Sequence, residues 1–374
     1  MPLDLHDLLL LASVPGVGPH RLRALLDRIP DPRAILLSGA RELLSVPGID
    51  RRTALSIAQY MRSPLCGQAS RRVEHQLVRL SRIHGCIVTL WDDAYPTNLR
   101  GIYDPPPILF VRGTLSPNDA HSIAIVGTRT PSAYGIETTS RFASGLSGLG
   151  LPVVSGLARG IDTIAHRSTL AGGGRTLAVI GSGIDIIYPP ENAPLAERVI
   201  GNGAVLSELE MGAKPDAGNF PRRNRIISGI AMATLIVETG IDGGAMITAT
   251  TAFDQDREIF AIPTSISEKR RSGTNLLIKQ GKALLVECVD DIVAELAIRL
   301  KGVISTLAPP VPEPIPPMTL FERNVYDVLS ETPLHVDLLA ERAGTSTSDA
   351  LVHLLSLEFK GLIRQLPGKM FVRT

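Results

Sequence analysis

The sequence of 374 residues has little of several features that would define its class at once. It contains only three cysteines, without a CxxC pair, so we expect neither a disulfide framework nor a zinc or other metal site. No apolar run approaches the roughly 18 residues of a membrane-spanning helix, so no contact with a membrane core is predicted. The first residues lack the basic start of a secretory signal, which favours a cytoplasmic location.

Net charge and aromatic residues are also scarce. The 38 Lys and Arg are balanced by 37 Asp and Glu, and aromatic residues make up 4% of the chain. A net charge of +1 argues against a protein that coats duplex DNA through bulk electrostatics. A local basic site stays possible, and its existence depends on where the arginines lie.

Glycine and proline are plentiful, and the prolines indicate how the chain is divided. Six of the nine residues from 309 to 317 are proline, a composition that favours an extended linker. We therefore predict a helical domain over residues 1–62, an α/β domain over 63–300, a linker over 301–318 and a small domain over 319–374.

The first 62 residues contain a short repeat. A Ser-Val-Pro-Gly turn precedes an amphipathic run twice, beginning at Ser13 and at Ser45. The pattern resembles paired helix-hairpin-helix motifs, in which turn amides hold a DNA phosphate. The second copy has Asp50 where the first has Gly18, and a carboxylate there would repel phosphate. A helical bundle without a ligand is the alternative.

The central region alternates short apolar runs with helical patterns. The predicted strands lie at residues 123–126, 153–154, 177–180, 205–206, 235–237 and 259–262, with a further candidate at 283–286. This alternation predicts an α/β fold with a doubly wound, Rossmann-like parallel sheet. In such sheets ligands bind beyond the carboxyl ends of the strands.

Small residues and two arginines follow three of these strands. Glycine lets a backbone or a phosphate approach closely, and the amides at the next helix N-terminus favour an anion. We therefore predict a phosphate-binding surface formed by Gly127, Thr128, Arg129, Ser155, Gly156, Arg159, Gly160, Gly181, Ser182 and Gly183. There is no GxxxxGK[ST] motif, and Ile186 stands where a dinucleotide fingerprint needs its third glycine. No nucleotide cofactor is expected.

A second cluster combines an aromatic residue with arginines. It consists of Phe220, Arg222, Arg223, Asn224 and Arg225. Single-stranded nucleic acid is bound by such combinations, because bases stack on rings while the backbone follows basic groups. The alternative is that Phe220 belongs to the core and that Arg225 pairs with a carboxylate.

Taken together, these motifs resemble the DNA-processing protein A (DprA/Smf) family. They occur in the family's order over roughly residues 90–290. The resemblance implies a dimeric, non-catalytic protein that binds single-stranded DNA. Such proteins protect incoming DNA during natural transformation and help to load the RecA recombinase. It also implies that Arg129 contacts phosphate and that residues 220–225 line the same pocket. The loop before Phe220 departs from the family, because Asp216-Ala-Gly-Asn219 stands just upstream of Phe220 and Lys214 is the basic residue of this loop.

The last 56 residues resemble a winged helix, the module that often ends proteins of this family. We predict helices over residues 322–329, 336–343 and 346–357, followed by two strands that flank a wing at Pro367. The third helix usually reads duplex DNA. Here it carries Ser348, Asp349 and His353 but no arginine, so a role in protein interaction or weak DNA binding is expected.

Two other function classes compete with this interpretation. Residues 243–248 resemble a turn of the Lonely-guy (lysine decarboxylase-like) phosphoribohydrolases, but their essential glutamate falls at Thr250. Asp162 and His166, four residues apart, could face each other, although a helix-capping Asp and a structural His are the more common roles. The third class is a protein-binding scaffold.

Overall fold

The computed structural model describes residues 3–303, 318–330 and 332–373, which fall into two compact units. The first unit contains the described residues up to 303, and the second those from 318 onward. Most of the predicted linker, residues 304–317, lies outside the described residues.

The first unit begins with six helices. They are α1 (Leu5–Ala12), α2 (Pro19–Arg28), α3 (Pro32–Leu37), α4 (Ala40–Leu43), α5 (Arg51–Tyr60) and α6 (Pro64–Arg82). Leucines and isoleucines on the inner faces of the first five helices form one buried cluster, which includes Leu8, Leu25 and Ile57. The predicted helical repeat is present as α2 and α5, each preceded by its Pro-Gly turn.

A sheet follows, in which nine strands of the described chain are hydrogen-bonded. The strands are β1 (Gly85–Thr89), β2 (Ile108–Gly113), β3 (Ile123–Val126), β4 (Val153–Ser155), β5 (Thr176–Val179), β6 (Gly203–Ser207), β7 (Ala233–Ile236), β8 (Glu258–Ala261) and β9 (Leu284–Leu285). Their order is β1-β2-β6-β5-β4-β3-β7-β8-β9. In this spatial order, each strand from β6 through β5, β4, β3, β7 and β8 to β9 is parallel to the next.

Helices cover the sheet. They are α7 (Thr97–Arg100), α8 (Ala133–Gly148), α9 (Ile161–Ala171), α10 (Ala193–Asn202), α11 (Asn219–Ile230), α12 (Gly244–Asp254), α13 (Gly273–Lys279), α14 (Val289–Glu295) and α15 (Ala297–Leu300). Strands β3, β4 and β5 are buried at every residue, as their uninterrupted apolar sequence requires in a sheet covered by helices.

The order in which the chain forms its strands determines where along the sheet the site lies. From β3 the chain moves outward through β4, β5 and β6, and it then crosses to build β7, β8 and β9 on the other side of β3. The loops after β3 and β7 therefore lead away in opposite directions, which opens a crevice between two neighbouring strand ends. The predicted doubly wound, Rossmann-like sheet is confirmed.

Two strands were not predicted from the sequence. Strands β1 and β2 form an antiparallel pair, and β2 joins the parallel sheet by an antiparallel ladder to β6. The helical segment that ends the first unit is divided in two, because α14 ends at Glu295 and α15 begins at Ala297. No helix among the described residues is long and apolar enough to cross a membrane.

The second unit has the predicted winged-helix fold. Its elements are α16 (Leu320–Val328), β10 (Leu334–His335), α17 (Val336–Ala343), α18 (Thr347–Phe359), β11 (Ile363–Leu366) and β12 (Met370–Arg373). Its core contains Val325, Leu339, Leu354 and Phe371. Glu322 closes a capping box with Thr319 and accepts hydrogen bonds from Lys360 Nζ, which ties α16 to the end of α18.

Candidate nucleic-acid interface

A groove of about 740 Å³ lies at the strand ends where the winding direction changes. The loop after β3 forms one wall, with Gly127, Thr128 and Arg129. The N-terminal part of α11 forms another, and the opposite wall is the loop after β7 with the beginning of α12. The structure thus brings together two clusters that are about 90 residues apart in the sequence.

Phe220 lies at the centre of the groove. The side chain is half-buried, and its ring centroid lies 5.4 Å from the guanidinium carbon of Arg129 and 5.9 Å from that of Arg223. The ring of Tyr188 lies 6.1 Å away on a further side, tilted by 45°. Positive charge near the ring faces makes cation–π contacts and surrounds Phe220 with basic groups.

Arg129 is the exposed arginine of this group. Among the described residues it has no carboxylate partner, so its charge is available to a ligand. Its backbone is held by Gly160, whose φ of +77° would strain any other residue. A Cβ atom at Gly160 would lie 2.3 Å from the carbonyl oxygen of Thr128. The close packing of Gly160 against the loop after β3 fixes the position of the Arg129 backbone.

Arg223 supports the groove from beneath. It is 6% exposed, and its Nη1 donates a hydrogen bond to the carbonyl oxygen of Val179 at the end of β5. Burial lowers its pKa to about 10, and the nearby carboxylate of Asp162 opposes that shift. Arg223 is therefore charged at neutral pH. A Cβ at Gly156 would overlap both side chains, which explains why a glycine is needed there.

Asp162 and His166 take part in folding the site. Asp162 accepts hydrogen bonds from the amides of Gly156 and Ala158, at 3.2 and 3.4 Å, while burial raises its pKa. His166 is fully buried and shares a 2.7 Å hydrogen bond with Thr176 Oγ1. Burial, reinforced by the charge of Arg223, lowers the pKa of His166 to about 3, so the imidazole is neutral.

Several predicted phosphate-binding residues have internal partners. Ser155 Oγ donates to the Ile125 carbonyl and Ser182 Oγ to the Ile186 carbonyl. The amides of Thr128 and Gly183 donate to the carbonyl oxygens of Glu238 and Ala213. A Cβ atom at Gly127 would lie 2.6 Å from Ile161, and one at Gly181 would lie 3.1 Å from the ring of Phe220. These residues shape the loops, and direct contact of each with a phosphate stays a prediction.

The remaining predicted arginines differ in their partners. Arg225 is mostly buried and donates two 2.6 Å hydrogen bonds to Glu208, and it also pairs with Asp104. The structure thus favours the alternative in which Arg225 pairs with a carboxylate. Arg222 is exposed at the edge of the same cluster, 4.0 Å from Glu208. Arg159 pairs with Glu191 at 2.6 Å on the exposed rim, and Asn224 lines the groove itself.

The sequence analysis missed two parts of the groove. The ring of Tyr188 faces Phe220. The only sequence feature that could have indicated a role in the groove is the Tyr188-Pro189 pair. The beginning of α12 supplies Gly243, Gly244 and Thr248 to the far wall, and its first turn has no side-chain cap. A helix N-terminus without a cap leaves amides that can bind an anion.

The hairpin repeat near the N-terminus is tied together internally. Asp50 caps α5 by accepting a hydrogen bond from the Thr53 amide at 2.8 Å, and it pairs with Arg21 of the first hairpin at 2.6 Å. Arg21 also donates to the carbonyl oxygen of Gly16. An ion pair therefore ties the two turns to each other, and whether either turn binds DNA stays a prediction.

Comparisons with known proteins agree with this architecture. The family model for DNA recombination-mediator protein A matches residues 86–297. The model for the DprA winged helix domain matches residues 309–369, and the SAM-like helix-hairpin-helix tandem matches residues 8–62.

Individual relatives are similar over most of the chain. Protein Smf of Escherichia coli is 35% identical over 85% of this chain and 85% of its own length. DNA processing protein DprA of Streptococcus pneumoniae is 40% identical over 55% of this chain and 73% of its own.

Two solved structures share the fold. The X-ray structure of DNA processing protein A from Streptococcus pneumoniae has a TM-score of 0.65 and 30% identity, covering 79% of this chain and 99% of that one. The Helicobacter pylori protein, described for its single-stranded DNA binding mode, has a TM-score of 0.52 and 26% identity, covering 59% of this chain and 98% of that one. The chain therefore belongs to the DNA-processing protein A (DprA/Smf) family of DNA recombination mediators.

Proposed function

We propose that this protein binds single-stranded DNA in the groove around Phe220 and acts as a recombination mediator. The ring of Phe220 offers a surface on which a base stacks, and Arg129 binds the adjacent phosphate. Arg223 holds the ring in place and adds positive charge from below. Base stacking combined with backbone contacts gives binding that depends little on base sequence.

The observation that carries this proposal is the environment of Arg129. It is an exposed arginine 5.4 Å from a half-buried aromatic ring, and it has no carboxylate partner among the described residues. Nearby arginines such as Arg159 and Arg225 are neutralised by carboxylates. A ligand that is anionic and carries a flat ring fits this combination, and single-stranded DNA supplies both along its length.

We propose that the protein acts by binding and without catalysis. Thr250 occupies the position where the phosphoribohydrolases have their essential glutamate, and its hydroxyl donates to the Met246 carbonyl within α12. The carboxylate of Asp162 is occupied by two backbone amides, and the His166 ring binds Thr176. Release of base from nucleoside monophosphates by the pure protein would contradict this.

The test of the DNA site is a binding titration with single-stranded and duplex oligonucleotides at two salt concentrations. We expect wild type to prefer the single strand. Arg129→Ala should weaken that binding by about tenfold or more and make the slope of log K against log salt shallower by about 0.7, the value for one lost phosphate contact.

The matched control is Arg198→Ala. Arg198 is an exposed arginine on α10, outside the groove, so this variant loses the same charge without losing the proposed contact. We expect its affinity and salt slope to equal those of wild type. If Arg129→Ala and Arg198→Ala bind single strands equally well, the groove is not the DNA site.

We further propose that the protein is a cytoplasmic homodimer that protects incoming DNA and helps to load RecA during natural transformation. Membership of a family of recombination mediators supports this role. The sheet edge at β9 supports self-association, because Leu284 and Leu285 of this edge strand are 44% and 49% exposed. Light scattering would measure the dimer, and Leu285→Glu should shift it towards monomer. Strand-exchange assays with and without RecA would test loading.

A further inference from the structure

Helix α6 carries a basic stripe on its outer face. Arg72, His75, Arg79 and Arg82 are spaced by three, four and three residues, which places them along one side of an α-helix. An adjoining side of the helix packs inward through Ala69, Val73, Gln76 and Leu80. The stripe extends over about 15 Å of helix.

Three members of the stripe are exposed. Arg72, His75 and Arg82 have no carboxylate partner among the described residues. The carboxylate on this stretch of the helix, Glu74, lies on an adjoining face and accepts a hydrogen bond from Ser70 at 3.4 Å. Arginines aligned without counter-charges repel one another, and an anion that spans them would relieve that repulsion.

The fourth member connects the stripe to the groove. Arg79 pairs with Asp185, in the loop that follows β5. This loop begins with Gly181 and Ser182, which line the pocket beside Phe220. The Asp185 carboxylate also accepts a hydrogen bond from the amide of Gly212 at 2.8 Å. Asp185 is thereby neutralised and adds little repulsion for a phosphate chain passing over it.

The loop before Phe220 completes the path. Gly212 lies beside Arg79, and a Cβ there would be 3.5 Å from the Arg79 guanidinium. Lys214 is exposed two residues later, and Pro215 and Ala217 then line the groove next to Phe220. Gln76 of α6 fixes this loop by donating to Glu210 and accepting from the Met211 amide. Lys214 therefore places a basic group between the groove and α6, while Asp216, the acidic residue between Lys214 and Phe220, accepts a hydrogen bond from the Gly218 amide.

We propose that α6 is a second binding segment for the same single strand: DNA that leaves the Phe220 groove continues past Lys214 and along the stripe of Arg72, His75 and Arg82. The inference rests on the proposed function of the groove and extends it by defining where the strand goes. Contact on α6 is mainly with phosphates, because Arg72 and Arg82 offer guanidinium groups and the stripe has no Phe, Tyr or Trp ring on which a base could stack. A long strand then binds more tightly than one that fills the groove alone.

The experiment compares two oligothymidine probes, of about 6 and about 24 nucleotides, by fluorescence anisotropy at two salt concentrations. The test variant is Arg72→Gln with Arg82→Gln, which keeps helix propensity and removes two charges. We expect its affinity for the long probe to fall about fivefold to tenfold, with a salt slope shallower by about 1.4. Affinity for the short probe should equal that of wild type.

The matched control is Arg33→Gln with Arg41→Gln. Both arginines are exposed on α3 and α4 of the same helical region, outside the stripe, so this variant loses the same net charge. If both double variants bind the long probe equally, the α6 segment is wrong. Arg129→Ala separates the two proposals, because it should weaken both probes. If it weakens neither, the groove assignment and this inference both fail.

Discussion

The two sides of α11 use the same residue type for different purposes. On the groove side, Arg223 lies beneath Phe220 and contributes charge to a surface that also contains the exposed Arg129. On the other side, Arg225 is held by Glu208 and Asp104 and is almost shielded from solvent. The two arginines are two residues apart in one helix. Their partners, and not their chemical type, decide which side can bind an anion.

The comparison also explains how the groove keeps its charge. The acidic residue next to Arg223, Asp162, accepts hydrogen bonds from two backbone amides at its Oδ2 oxygen and so fixes the loop after β4. It balances the buried guanidinium without reaching Arg129. Glu208, in contrast, accepts both Arg225 bonds. Carboxylates therefore neutralise Arg225, which stabilises the fold, and leave the positive charge of Arg129 available where a ligand enters the groove.

The largest effect is expected from Arg225→Met. This change leaves Glu208 mostly buried, with a side chain 13% exposed, and without its close cation. Breaking a buried pair from one side lowers the free energy of unfolding by about 3 to 5 kcal/mol. Urea unfolding would measure the loss, and the affinity of the folded fraction for single-stranded DNA should stay within about twofold of wild type.

Two variants sharpen that result. Arg198→Met removes an exposed arginine and should change stability by no more than about 0.5 kcal/mol. Adding Glu208→Gln to Arg225→Met removes the orphaned charge and should restore part of the stability. If Arg225→Met is as stable as wild type but loses DNA binding, the two sides of α11 do not differ as described.

A smaller effect is expected from Phe220→Ala. Loss of one stacked base costs about 1 to 3 kcal/mol, so affinity for single-stranded DNA should fall about tenfold. No charge is removed, so the salt slope should match wild type, unlike the shallower slope of Arg129→Ala. Phe220→Tyr keeps the ring and should bind normally. A changed slope in Phe220→Ala would mean that the ring acts mainly by positioning Arg129.

The smallest effect at neutral pH is expected from a change at Glu322 in the second unit. Like Glu208, Glu322 is a carboxylate that is largely shielded from solvent. The hydrogen bond from Lys360, with those from Ser356 and Thr319, lowers its pKa from 4.5 to about 2. Because the folded pKa lies below the unfolded one, the stabilisation is complete above pH 4.5 and is lost as pH falls towards 2.

Hydrogen exchange of the α16 and α18 amides in the full chain would measure this loss. Glu322→Gln cannot titrate, so its protection should be lower at neutral pH and should depend less on pH over that range. Equal pH dependence in both proteins would show that other groups control the stability of this unit.

Much of the fold could be predicted from local sequence. Strands β3 to β8 are short continuous apolar runs between helical patterns, which is typical of a covered parallel sheet. The helices of the winged unit follow from their apolar spacing. Strands β1 and β2 could not be predicted in the same way. Strand β1 pairs with β2, and β2 joins the sheet only through an antiparallel ladder with β6, about 90 residues later. Nothing local specifies that neighbour.

The site was predictable in outline. The glycine-rich strand ends and the segment around Phe220 identified the edge of the sheet at which the structure has its groove, since parallel strands bring their carboxyl ends together. The roles within it were harder to assign. Ser155 and Ser182 looked like phosphate ligands, yet their hydroxyls bind backbone carbonyls. The far wall at Gly243 and Gly244 was read only as part of a rival enzyme motif.

The sequence by itself determined strands β3 to β8, the fold class and the edge at which a phosphate backbone could approach, because these follow from short-range patterns of apolar residues and glycine. Only the tertiary structure decided which arginines remain available to a ligand. Glu208 is 17 residues from Arg225, and Asp104 is 121 residues away. Ion pairing acts over a few ångströms in space. A pair therefore cannot be recognised from the sequence when its partners lie so far apart along the chain.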